Sequence, residues 1–187
     1  LPEEKVIKWS IEVLDVLSYL HKHNPPIIYR DLKPANIMIQ TKNNQIMLID
    51  FGIARSIMPE NINTMTSVGT PHYSSPEHFE GKACPQSDLF SLGATMHHIL
   101  TGKIPTPCMF KPVRYLNPDV SLEMEIILER ALALEIPDRY QSTEEMKQDL
   151  TELMIKSKKT STLWVPDKDR EESTTSKSAP HEFATRK

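Results

Sequence analysis

The run Ile28 to Gly52, IYRDLKPANIMIQTKNNQIMLIDFG, constrains this chain more than any other feature. It sets Asp31, Lys33, Asn36 and Asp50 around two short apolar segments, Ile37 to Ile39 and Ile46 to Ile49. Apolar residues alternate in both (Ile37, Ile39; Ile46, Leu48), the pattern of a half-buried β-hairpin, with a four-residue turn centred on Asn43-Asn44. A hairpin returns its two ends to one edge, so Asp31 and Asn36 are expected near Asp50. Two carboxylates, an amide and a lysine at one edge suit a metal-bound phosphate. Mg²⁺ is a hard ion that takes a few carboxylate, amide and phosphate oxygens. Asp50 and Asn36 supply such oxygens, Lys33 neutralises charge on a phosphoryl group, and Asp31 accepts the proton of an attacking hydroxyl.

The residues YRDLKPAN and Asp50-Phe51-Gly52 resemble the catalytic loop and metal-binding loop of eukaryotic-type serine/threonine protein kinases of the bacterial kind. Tyr29 stands where the family pattern has histidine, a position read as a packing element. The resemblance implies Asp31 as catalytic base, Asn36 and Asp50 as Mg²⁺ ligands, Lys33 near the γ-phosphate of ATP, and Met38 as the floor under the adenine. Lys33-Pro34 is the serine/threonine form of the motif.

Downstream, RSIMPENINTMTSVGTPHYSSPEH is polar and without periodicity, which reads as a loop. It is similar to a kinase activation segment closing at Ser75-Pro76-Glu77. By that likeness Thr64, Thr66 and Ser67 are candidate phosphorylation sites, Arg30 is the cation that receives the phosphate, and Thr70 contacts the catalytic aspartate and lysine. Asp88 opens the apolar stretch DLFSLGATMHHILTG, a buried helix stopped by Gly102. In the family this aspartate holds the catalytic-loop backbone, and Arg139 of IPDRYQS pairs with the glutamate at the position of Glu77.

The rest of the pattern is helical. Residues 2 to 22 carry Val6, Trp9, Val13, Val16 and Leu20 as an apolar stripe behind Pro2, Glu3 and Glu4. Ser121 to Leu134 and Ser142 to Ile155 are further helices, the latter with a capping box of Ser142 and Glu145. The Pro-rich stretch between Gly102 and Ser121 leaves little room for the helix the family has there. The expected fold is therefore mostly α (α+β): the large helical lobe of a protein-kinase-like fold with one small catalytic hairpin, residues 1–156, followed by a polar, disordered tail, 157–187.

These 187 residues hold no glycine-rich phosphate loop, no strand lysine and no partner glutamate, so the N-terminal lobe is absent from them. A lobe by itself is expected to bind ATP poorly and turn over little. The leading reading is a kinase catalytic lobe whose complete form phosphorylates Ser and Thr hydroxyls of proteins. The alternatives are a non-catalytic kinase-fold adaptor and a small-molecule phosphotransferase, the latter disfavoured by GTPHY and Lys33-Pro34. A net charge of -3 speaks against nucleic acid as partner. Two cysteines, Cys84 and Cys108, fit a reducing, cytoplasmic setting. The seven histidines have no cysteines at zinc-ligand spacing, and no apolar run is long enough to span a membrane.

Overall fold

A computed structural model of the chain describes residues 1–50 and 71–163. Six α-helices and one two-stranded sheet appear among them, in the order α1 (Glu3–His21), β1 (Ile37–Ile39), β2 (Ile46–Leu48), α2 (Pro76–Phe79), α3 (Pro85–Thr101), α4 (Val113–Leu116), α5 (Leu122–Ala131) and α6 (Thr143–Leu163). The architecture is mostly helical, as expected from the sequence, with the hairpin as the only sheet among the described residues.

Helix α3 is the centre of the lobe. Every residue from Ser87 to His97 is buried, so this helix shows no solvent face through its middle turns. Pro85 occupies its first turn, three residues before Asp88, and Gly102 ends it in the left-handed conformation (φ 68°), donating its N–H to the carbonyl of His98. Helix α1 packs against α3 and α6, and α5 packs against α3 and α6. Two neighbours give α1 a wider apolar face than a single stripe. Its buried residues are Val6, Ile7, Ser10, Val13, Leu14, Leu17 and Leu20, while Trp9 and Val16 lie half-buried at its margin.

Ser121 caps α5 by accepting the N–H of Met124 at 3.1 Å. Its own N–H and hydroxyl donate to the carboxylate of Glu3, tying the starts of α1 and α5 together. At the start of α6 half of the expected capping box forms: Ser142 Oγ accepts the N–H of Glu145, but the Glu145 carboxylate accepts from the N–H of Gln141 instead. Helix α6 also continues past Ile155 to Leu163, because lysines favour helix and no glycine or proline intervenes before Pro166. Seven residues placed at the head of the polar tail are therefore helical, and Trp164 and beyond lie outside the described residues. Only the one-turn α4 occupies the Pro-rich stretch. No described helix is long and apolar enough to cross a membrane, and both cysteines are free.

Gly93 sits where α3 crosses α5. A Cβ there would stand 2.9 Å from the Ala131 Cβ and 3.3 Å from Leu132 Cδ2, closer than carbon atoms tolerate. Alanine in a helix interior normally gains about 1 kcal/mol over glycine, but overpacking a fitted contact costs about 1 to 3 kcal/mol. Gly93→Ala is thus expected to lower the midpoint of thermal unfolding, measured by calorimetry, and a raised midpoint would show that α5 can move away freely.

Candidate active site

The hairpin builds the site. Its register pairs Ile37 with Leu48, Met38 with Met47 and Ile39 with Ile46. Thr41 to Asn44 form the turn inside a closing hydrogen bond from Gln40 N–H to the Gln45 carbonyl, 2.9 Å. At the open end the N–H of Ile49 donates to the carbonyl of Asn36 at 3.0 Å, so the residue before Asp50 is bonded to Asn36 itself. Glu12 of α1 accepts the N–H of Ile46 at 2.9 Å and fastens the hairpin to the helical body.

Before β1 the chain runs extended through Lys33 (φ -158°, ψ 162°), as a residue preceding proline must, and then turns once through Pro34–Asn36. This turn folds Lys33 and Asn36 back onto Asp31. Lys33 Nζ donates to both Asp31 oxygens, at 2.9 and 3.1 Å. Asn36 Nδ2 donates to Asp31 Oδ2 at 2.9 Å and to the Asp31 carbonyl at 2.8 Å. Asp31 and Lys33 are both about one-fifth exposed, open enough to meet a ligand. Asn36 is buried, with its amide nitrogen committed to Asp31. Asp50, at the other end of the hairpin, is exposed and adopts a positive φ of 57°. Met38 lies on the outer face of the hairpin beside its pair Met47, 53% and 45% exposed respectively.

The backbone just ahead of Asp31 is pinned from α3. The fully buried Asp88 carboxylate accepts the N–H groups of Tyr29 and Arg30, each at 2.9 Å, and lies 2.8 Å from His21 Nε2. Thr95, two turns along α3, approaches the carbonyl of Leu32 at 3.5 Å. Arg30 has a positive φ of 69° and an exposed side chain. The Tyr29 hydroxyl, given only a packing role by its sequence position, donates to the carbonyl of Ile49. Burial first, then the charges of Asp31, Asp50 and Asp88, push the Tyr29 phenol far above its ordinary pKa, which keeps it a donor.

A second buried pair closes the lobe. Arg139, without solvent exposure, forms two parallel bonds to Glu77, at 2.7 and 2.9 Å. Its remaining donors reach the carbonyls of Ala133 and Leu134, and Ser87 Oγ adds a 2.6 Å bond to Glu77. Burial alone would raise the Glu77 carboxyl, but the hydrogen bonds from Arg139 and Ser87 outweigh it and bring the pKa down to about 2.

His21, Thr95 and Ser87 carry no motif of their own. They find their partners across 67, 63 and 10 residues, and no local spacing marks them. Phe51, Gly52, Thr64, Thr66, Ser67 and Thr70 lie outside the described residues.

This geometry coincides with a match of residues 1–163 to the model of the protein kinase domain. The chain belongs to the protein kinase family. It is similar to a probable serine/threonine-protein kinase of Streptomyces coelicolor, 35% identical over 79% of this chain and 24% of that protein. The serine/threonine-protein kinase PknB of Mycolicibacterium smegmatis is 34% identical over 89% of this chain and 31% of its own length. Among solved structures, the Mycobacterium tuberculosis PknI kinase domain superposes with a TM-score of 0.65 at 27% identity, over 81% of this chain and 56% of that one. The chain thus spans about a quarter to a third of the length of these curated relatives.

Within this kinase lobe the donor set fits a hard divalent cation that keeps most of its shell from phosphate and water. No group of three His, Cys, Asp or Glu converges among the described residues. The Asp50 carboxylate is exposed, and the Asn36 amide turns its nitrogen, not its oxygen, to Asp31, while an amide oxygen and a carboxylate are both donors a hard cation takes.

The lobe's dependence on Glu77 and Arg139 can be measured. Because the folded Glu77 pKa lies below its unfolded value of 4.5, the unfolded chain takes up the proton first as pH falls. The resulting stability, about 3 kcal/mol, is complete above roughly pH 5 and drains away toward pH 2. Denaturant unfolding of Glu77→Gln should show a shallower loss over that interval than the parent. Arg139→Ala leaves a buried carboxylate unpaired and should destabilise the lobe by about 3 to 5 kcal/mol; melting at the parent temperature would overturn this.

Proposed function

We propose that the protein is the catalytic lobe of a serine/threonine protein kinase, whose complete form transfers the γ-phosphoryl group of ATP to Ser or Thr hydroxyls of protein substrates. The observation that carries this reading is the arrangement at the open end of the hairpin. There Asp31 is clasped by Lys33 and Asn36, and Asn36 is bonded through the backbone to the residue before Asp50. The names of the relatives support the same reaction class.

In this reading the acceptor hydroxyl lies against Asp31, whose carboxylate orients it and takes its proton. Lys33, held on both Asp31 oxygens, has the charge to offset that building on the transferred phosphoryl oxygens. Asn36 and Asp50 would hold Mg²⁺, which supplies neutralisation of phosphate charge when bound. Met38, exposed beside Met47, offers an apolar platform for the adenine. Thr70 would contact Asp31 and Lys33 from the following segment. Because these 187 residues hold no glycine loop and no strand lysine, the lobe on its own should hold the α- and β-phosphates weakly. Arg30, exposed ahead of Asp31, is suited to receive a phosphate on Thr64, Thr66 or Ser67. A setting that supplies ATP and keeps Cys84 and Cys108 reduced is the cytoplasm.

The complete kinase should label generic protein substrates on Ser and Thr in the presence of Mg²⁺ and ATP. Asp31→Asn is expected to lower kcat by about 100-fold or more with little change in nucleotide affinity. An unchanged kcat would remove Asp31 from the role of base, and no phosphotransfer by the parent would overturn the reading. Replacing Thr64, Thr66 and Ser67 together by alanine should lower activity, and an equally active triple variant would sink regulation through that segment.

A further inference from the structure

We propose that the groove between the end of α3 and α4 is a binding site for a fatty acid, with the carboxylate held at Lys103 and Lys111 and the alkyl chain laid against Ile104, Met109 and Leu116. The site stands apart from Asp31 and does not rest on the phosphotransfer reading. The groove is a cavity of about 530 Å³ between the Pro-rich loop that follows α3 and Leu116 of α4. A space of that size with an apolar lining and a few charged groups has the character of a small-molecule site.

The loop that forms its wall is held in place by polar bonds rather than by regular structure. His97 Nε2 donates to the carbonyl of Lys111 at 2.9 Å, and the N–H of Met109 donates to the carbonyl of Thr106 at 3.0 Å. The thiol of Cys108 reaches the carbonyl of Ser74 at 3.7 Å. Cys108 is kept at a positive φ of 53°, a conformation that persists only where the surroundings impose it. What this fixed loop turns outward is apolar: Ile104 is 64% exposed and Met109 72%. The unbranched, polarizable chain of methionine moulds itself to irregular apolar shapes, which suits a flexible alkyl chain.

Charge sets the class of ligand. Lys103 and Lys111 are both exposed on the wall of the groove, and neither has an ion-pair partner among the described residues. No carboxylate joins them there among the described residues. Lys111 is steadied over the ring of Tyr115, 5.6 Å from its centroid. Two unpaired ammonium groups beside an apolar wall call for an anion with an apolar body, and the lysine ammonium is a compact point charge that holds a carboxylate without needing a planar fork. The neighbouring cavity, about 290 Å³ between the same loop and α5, carries Glu125 and Glu129 on its wall. An anionic head is repelled from that cavity and drawn to the groove.

The test is calorimetric titration of the full chain with dodecanoate, kept below its micelle concentration, which should show one saturable site. Octanoate has a shorter chain and should bind about 100-fold more weakly, since each buried methylene counts. Dodecyltrimethylammonium, the same chain with a cationic head, should not compete. The double variant Lys103→Gln, Lys111→Gln should weaken dodecanoate about tenfold or more and leave the midpoint of thermal unfolding unchanged, because both side chains are exposed. Bound dodecanoate should slow maleimide labelling of Cys108, in the wall of the groove, and leave Cys84 as reactive as before. The proposal is overturned by the lack of a saturable site, by equal binding of the cationic chain, by a double variant that binds like the parent, or by an unprotected Cys108. Binding to phosphatidylglycerol vesicles without binding of monomeric dodecanoate also overturns it and assigns the lysines to a lipid surface instead.

Discussion

A single buried carboxylate organises this lobe. Asp88 has no exposed surface and accepts two successive backbone N–H groups, those of Tyr29 and Arg30, together with the imidazole of His21. A charge so placed is tolerable only because it is fully hydrogen-bonded. The same bonds hold Arg30 at positive φ, which exposed backbone would abandon at a gain of about 1 to 3 kcal/mol. Since Asp88 sits on α3, buried on all sides through its middle, the segment from Tyr29 to Asp31 inherits the rigidity of the core rather than the freedom of a surface turn.

From that anchor the site is assembled by short-range geometry. Pro34 forces Lys33 to be extended and starts the turn that brings Lys33 and Asn36 back onto Asp31. The hairpin register then returns the chain so that Ile49 bonds Asn36, and Tyr29 reaches the same residue from below. Asp31 and Asn36 are thus tied by side-chain bonds, and the residue before Asp50 is tied to Asn36 through the backbone. Phosphoryl transfer, which rests on positioning and electrostatics, suits such a frame.

Much of this was legible in the residues. The alternation of Ile37, Ile39, Ile46 and Leu48 corresponds to the observed pairing, and Gly102 ends α3. The one-turn α4 follows from the prolines around it. What escaped is of two kinds. The margins of helices depend on packing partners: α1 buries Val6, Val13 and Leu20 of the expected stripe and adds Ile7, Leu14 and Leu17, while Trp9 and Val16 stay half-buried, because α1 packs against both α3 and α6. The end of α6 escaped because a run of lysines and threonines reads as solvated tail, although nothing in it breaks a helix before Pro166. Long-range polar partners escaped as well. His21, Thr95 and Ser87 are ordinary residues in sequence and become specific only when a buried acceptor comes within reach.

The sequence by itself determined the kinds of group present and their order: a carboxylate, a lysine, an amide and a second carboxylate spaced around a hairpin, in a pattern that resembles the kinase family. These are local facts, since backbone preference and residue chemistry act over a few positions. Only the tertiary structure decided which groups share a proton or a charge. The Asp88 bonds span 58 to 67 residues and the Glu77–Arg139 pair spans 62. Such contacts exist because folding excludes water from a common core, where a buried charge or N–H without a partner is costly. The same constraint gave the hydroxyl of Tyr29 a place on the Ile49 carbonyl, across 20 residues of chain.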